Sequence, residues 1–144
     1  TANALYKCYG DIERIGDHAI NILQYSQAGQ RLVNSQIIQT ELNQLLELID
    51  KSFQLLYACR LDSQAETLTK ITRIEERIDV LTQEYRQTQI ERMIQHEVSA
   101  ADCVIYSEIL TDIERISDHL MNIMEECSRC SFTLQEHKEE LKFA

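Results

Sequence analysis

The sequence contains no proline at all and only three glycines, Gly10, Gly16 and Gly29. A chain with so few helix breakers can hold long uninterrupted helices and little else. Basic residues are also scarce: 14 Lys and Arg stand against 24 Asp and Glu, a formal charge of −10. A surface of that sign repels phosphates, which excludes nucleic acid as a partner and suits cations instead. No apolar run approaches the roughly 20 residues that span a bilayer. The segment Phe53 to Cys59 is among the longest, and it contains Gln54. No secretory leader is visible. G-x-S-x-G, Walker and glycine-rich phosphate loops are missing as well, so the sequence offers no nucleophile and no nucleotide cradle. What remains is a 144-residue chain, 44% apolar and 26% charged, the make-up of one ordinary globular domain. It starts at Thr1 with a helical pattern already running by Leu5, and so reads as a piece of something longer.

The apolar residues repeat with helical period. Leu5, Cys8, Ile12, Ile15, Ala19 and Ile22 form a first stripe, and Gly29 stands where a left-handed C-terminal cap would stop that helix. A second stripe runs Ile38, Leu42, Leu45, Ile49, Phe53, Leu56. The third runs Ile71, Ile74, Ile78, Leu81, Tyr85 and is entered through a capping box, Ser63-Gln-Ala-Glu66. The fourth runs from Tyr106 through Ile109, Ile113, Ile116, Leu120 and Ile123 to Cys127, with Ser99 as its N-cap. Thr133-Leu-Gln-Glu136, a further capping box, predicts a short tail helix over 131–144. The fold class is all-α: an antiparallel four-helix bundle of long helices with short connections.

One internal repeat dominates the sequence. Residues 11–22 read Asp-Ile-Glu-Arg-Ile-Gly-Asp-His-Ala-Ile-Asn-Ile, and residues 112–123 read Asp-Ile-Glu-Arg-Ile-Ser-Asp-His-Leu-Met-Asn-Ile. Nine of the twelve positions are identical at an offset of 101 residues. Core packing would keep the isoleucines roughly apolar but tolerates exchange among them. It does not require Glu, Arg, Asp, His and Asn to recur in register, so the polar identity points to a site. Glu13 and Asp17 lie four residues apart on one helical face, and Glu114 and Asp118 repeat the pair. Small residues surround both, Gly10 and Gly16 on one helix and Thr111 and Ser117 on the other. A third pair, Glu75 and Asp79, has the same spacing on the third helix. Carboxylates converging from neighbouring helices, without thiolate or clustered imidazole, suit a hard-oxygen cation site. Arg14 and Arg115 are expected to form salt bridges that orient these acids or bridge helices. Asn21 and Asn122 are expected to support them by hydrogen bonding. His18 and His119 read as polar flanks or as supporting imidazoles.

The repeated Glu-Arg-Ile-(small)-Asp, with Asn and Ile four and five residues after the Asp, resembles the PhoU family. That resemblance implies two three-helix repeats with this motif on the third helix of each. Residues 1–28 would be the third helix of a truncated first repeat and residues 33–130 a complete second repeat. It further implies surface clusters of di- or trivalent metal, such as iron, manganese, nickel or zinc, held by Glu13, Asp17, Glu75, Asp79, Glu114 and Asp118. The implied function is a non-catalytic regulatory or accessory domain of phosphate transport at the inner, cytoplasmic face of the cell membrane. Its partner would be a membrane phosphate transporter, upstream in the same chain or a separate protein. The Asp17-His18 and Asp118-His119 pairs are similar to PhoU-type domains attached to bacterial sodium/phosphate cotransporters.

Two other classes compete. A di-iron-type carboxylate enzyme needs Glu-x-x-His pairs pointing into the bundle, and none of the four histidines has a Glu three residues before it. A purely structural adaptor would leave the acids solvated. The five cysteines add no chemistry: Cys127-Ser-Arg-Cys130 lacks the βαβ context of a redox motif and the second pair that zinc needs. Their odd number fits the reducing cytosol. The resemblance further implies that the first helix would be without its usual two neighbours, so its acidic face beside Gly10 and Gly16 is expected to pack on a second copy as a homodimer.

Overall fold

The computed structural model describes the backbone of residues 2–140 and the side chains of residues 2–130. The described residues form five helices and no strand: α1 (Ala2–Ala28), α2 (Gln30–Val33), α3 (Gln36–Ala58), α4 (Gln64–Ile94) and α5 (Ala100–Glu140). The expected four long helices are all present, and α2 is a single extra turn at the corner between the first two. Residues 141–144 lie outside the described residues. The separate tail helix expected after residue 130 falls in a region whose side chains are not described; the α5 backbone is continuous as far as Glu140.

α5 is the axis of the molecule. It packs against α1 on one side and against α4 and α3 on the other, while α1 finds its partners in α5 and α2. Being covered from both sides, α5 buries more than one stripe: Tyr106, Ile109, Leu110, Ile113, Ile116, Leu120, Ile123 and Met124 are all inside. Ile74, Ile78 and Leu81 of α4 and Ile38, Leu45 and Ile49 of α3 form one cluster with the α5 residues from Tyr106 to Leu120, and Ile71 of α4 is buried as well. These are the stripes expected from the sequence, with one exchange: Ser52 is buried where Phe53 was expected, and Phe53 is exposed.

The first stripe is rotated. No residue of α1 is fully buried. Leu5, Ile12 and Ala19 face outward, and the half-buried docking face is Cys8, Asp11, Ile15, His18, Ile22 and Tyr25. Two polar residues sit in the middle of that face, where an apolar count cannot find it. The outward face carries Leu5, Tyr9, Ile12, Ile20 and Leu23, all more than half exposed. Adding the repeat offset of 101 maps Leu5, Tyr9 and Ile12 onto Tyr106, Leu110 and Ile113 of α5. Those three are buried against the rest of the bundle. The two copies of the motif therefore present the same face, covered in one case and open in the other.

Three local expectations are corrected or confirmed. Gly29 is not left-handed; its φ is −106°. Its role is a close approach, because a Cβ there would lie 2.9 Å from Ile105 Cγ2 on α5. The Ser63/Glu66 capping box does not form. Ser63 makes no cap bond and its hydroxyl bonds Arg60, while Glu66 pairs with Lys70 one turn on. Ser99 does cap α5: its Oγ accepts from the Asp102 N–H at 3.0 Å and donates to Asp102 Oδ2 at 2.7 Å. α4 ends in a Schellman motif with His96 in the left-handed position, φ 61°. There the Glu97 N–H donates to the Arg92 carbonyl at 2.9 Å and the His96 N–H to Met93 at 3.0 Å.

Candidate functional site

α1 and α5 run antiparallel, so the two copies of the repeated motif meet head to tail. His119 Nδ1–H donates to Asp11 Oδ1 at 2.8 Å, and His18 Nδ1–H donates to Asp112 Oδ1 at 2.6 Å. An ionised carboxylate only accepts, which places the hydrogen on Nδ1 in both rings. The two imidazoles stack on each other with centroids 5.6 Å apart and planes 25° apart. Asn21 Nδ2 adds a longer bond to Asp112 Oδ1 at 3.4 Å. Asp112 is 6% exposed, so its charge is tolerated only because it is hydrogen-bonded. This clasp is a local twofold: the Asp of each copy holds the His of the other. It gives both histidines, read from the sequence as polar flanks or supporting imidazoles, a carboxylate partner across the helix pair, and it turns Asn21 toward Asp112 rather than toward Glu13 or Asp17.

Asp11 and Asp112 were missed in the sequence. The signal was there: Asp and His recur seven residues apart in both copies, a spacing that puts them on one helical face two turns apart. Two such faces, antiparallel, can only pair reciprocally.

The predicted metal-ligating acids fall into three settings. Glu13 and Asp17 are exposed on α1. Glu114 is turned toward α4, where the Arg86 fork donates to both its oxygens at 2.9 and 2.7 Å and Thr82 donates at 2.5 Å. Burial alone would push its carboxyl up, but Arg86, Thr82 and Arg115 together hold it below its ordinary value. Arg86, which the sequence reading did not single out, is thus the counter-ion of the second motif. Arg115 lies 3.7 Å from Asp118, as expected of an orienting cation; both arginines are exposed, and Arg14 forms no ion pair among the described residues.

Glu75, Asp79 and Asp118 make up the third setting, on the surface between α4 and α5. Glu75 is pushed up to about 7 by burial, by Asp79 and by Asp118. Asp118 is raised by burial and by Asp79, against the opposing pull of Arg115 and His119. The three carboxyls are close enough to repel one another. Among the described residues, though, no three His, Cys, Asp or Glu side chains are grouped so as to hold a metal ion. The structure brings Glu75, Asp79 and Asp118 together electrostatically and diverts Glu114 to an arginine.

A second buried polar network ties α3, α4 and α5. Arg92 donates to Glu41 at 2.6 Å, and the fully buried Tyr106 donates its hydroxyl to the same carboxylate at 2.5 Å. Burial and Glu41 push the Tyr106 phenol well above its ordinary range. The five cysteines are all free thiols. No helix among the described residues is long and apolar enough to cross a membrane.

Comparison with known proteins gives one family and one relative. The PhoU domain family matches residues 42–127, more than half of the chain. The "Phosphate-specific transport system accessory protein PhoU homolog 1" of Thermotoga maritima is 24% identical over 123 residues, 85% of this chain and 53% of that protein. The chain therefore spans about half the length of this curated relative. No solved structure matches.

Proposed function

We propose that this chain, which belongs to the PhoU domain family, is a non-catalytic accessory module of phosphate transport that acts by binding. In this reading it docks on a membrane phosphate transporter from the cytoplasmic side and carries cations on its acidic surface. The relative's printed name supplies the transport system. The observation that carries the cation reading is the crowding of Glu75, Asp79 and Asp118 on the α4–α5 surface. A di- or trivalent ion would relieve that repulsion, and partly exposed side chains can turn toward one ion by rotamer change. Glu13 and Asp17 would add a weaker second position on α1. Glu114 would serve only after leaving Arg86.

Calorimetric titration with manganese, iron, nickel and zinc tests this. Saturable binding by the parent, lost in the Asp79→Asn, Asp118→Asn double variant, is expected. Undiminished binding by that variant would place the ions elsewhere. The open apolar face of α1 is where a second copy would pack, forming a homodimer that shared cations strengthen. Sedimentation with and without chelator reads that directly, and a strict monomer in both conditions removes it.

A purely structural reading has one observation in its favour. The clasp accounts for the recurrence of Asp and His in both motifs without any ligand. It does not account for Glu13/Asp17 and Glu114/Asp118, which lie outside it.

A further inference from the structure

We propose that the cavity at the end of the bundle where α3 begins and α4 ends is a binding site for a small oxyanion. The cavity encloses about 530 Å³ and is lined by α2, the first turn of α3, the last turns of α4 and the start of α5. Three sources of hydrogen-bond donors border it, and one of them, the Gln89 amide, reaches the space by a small turn of its side chain.

The first is Gln89, which is 1% exposed. Its Oε1 accepts from Arg92 Nη1 at 3.0 Å. Because an arginine has no acceptor, that bond fixes which way the amide lies. Its Nε2 is then a buried donor with no partner among the described residues. An unmet buried donor is destabilising by roughly 1–3 kcal/mol unless something accepts from it. The second is the N-terminus of α3, a helix of 23 residues with no acidic residue in its first turn. Ser35 occupies the N-cap position but makes no cap bond. The first intrahelical bond is Gln39 N–H to Ser35 O at 2.9 Å, so the N–H groups of residues 36–38 have no carbonyl of their own helix. Such an end attracts negative charge. The third is Arg31 of α2, which lines the cavity, is exposed and forms no ion pair among the described residues.

Arg92 also lines the cavity, but Glu41 neutralises it. Of the two acids at the cavity, Asp102 is occupied by capping α5 through Ser99, and Glu97 is exposed. These negative charges weigh more on a multiply charged anion than on a singly charged one. The ligand chemistry is therefore a compact oxyanion able to bind with a single charge, tetrahedral as in monoanionic phosphate or planar as in a carboxylate, in preference to the dianion sulfate. The cavity is remote from the acidic surface of α4 and α5. Gln89 lies 14 residues beyond Glu75 on α4, a rise of about 21 Å.

The test is nuclear magnetic resonance titration of the whole chain with phosphate, sulfate and acetate, at constant ionic strength set with chloride. Saturating shifts at the Gln89 side-chain amide and at the backbone amides of residues 36–38, complete by about 1 mM, are expected for phosphate or acetate ahead of sulfate, and which of the two identifies the anion geometry. Arg31→Ala, at an exposed position, should weaken that binding roughly tenfold or more, as expected for losing a charged hydrogen bond. Gln89→Met, of similar shape, should weaken it while leaving the remaining spectrum folded. Shifts confined to other residues, none at all with any of the three anions, or binding unchanged in Arg31→Ala would overturn the proposal and leave Gln89 Nε2 to an ordered water only.

Discussion

Removing Asp112 should make α1 open from the bundle more often without loosening the rest. Asp112 accepts from His18 at 2.6 Å and from Asn21 at 3.4 Å, and is 6% exposed. In Asp112→Ala the His18 N–H loses its acceptor in a site where its side chain is only 20% exposed. Hydrogen bonds that involve a charged group contribute about 1.5–3 kcal/mol. The partial exposure of His18 and the length of the Asn21 bond argue for the lower half, about 2 kcal/mol. That energy belongs to the α1–α5 contact, because α1 has no fully buried residue and packs on α5 and α2. Local opening of α1 should therefore become about 30-fold more frequent, since ~1.4 kcal/mol is a factor of ten. Native-state hydrogen exchange reads this amide by amide. The α1 amides should exchange about 30-fold faster while those of residues 74–81 and 109–120 keep their protection. Adding His18→Ala to Asp112→Ala should change little further, since the two share one interaction. Equal loss of protection in α1 and α4, or none in α1, would refute the clasp as the hold on the first helix.

Glu75 is raised from 4.5 to about 7. A raised carboxyl contributes stability that is fully present below its ordinary value and lost as pH rises through the folded one. The Glu75→Gln variant should match the parent near pH 4.5 and exceed it at pH 8. After solvent screening the gain is under about 1 kcal/mol, measured by urea unfolding at both pH values; a constant difference across that range would contradict the cause assigned here. Gly29→Ala should destabilise by about 1 kcal/mol, overpacking against Ile105 outweighing the loss of glycine flexibility. Gly10→Ala, with nothing within 4 Å of the new Cβ, should instead stabilise by about 0.5–1 kcal/mol. Thermal melts of the two variants should move in opposite directions.

Apolar spacing located α4 and α5 almost residue for residue, because both pack an apolar stripe against two or more neighbours. It failed on α1 for a physical reason. The face that docks there places Asp11 and His18 between Cys8, Ile15 and Ile22, and their burial is secured by reciprocal hydrogen bonds rather than by hydrophobicity. The repeat itself was plain in the sequence, as was the point that its polar residues needed an explanation. What spacing within one helix could not supply was the partner: Asp112 for His18, Asp11 for His119, Arg86 for Glu114. The first two pairings need the antiparallel register of α1 and α5, whose partners lie 94 and 108 residues apart, and the third needs that of α4 and α5, 28 residues apart. The Ser63 capping box is absent because Ser63 bonds Arg60 and Glu66 pairs with Lys70 instead.

The central claim, that this PhoU-family chain serves phosphate transport through its acidic surface, is tested most directly by phosphate uptake in cells. Uptake would be measured against external phosphate with the gene for this chain deleted, and after restoring either the parent or the Glu75→Gln, Asp79→Asn, Asp118→Asn variant. Deletion should change how uptake responds to external phosphate. The parent should restore that response, and the triple variant, present at the same level, should not. An uptake curve identical with and without the chain would contradict the account.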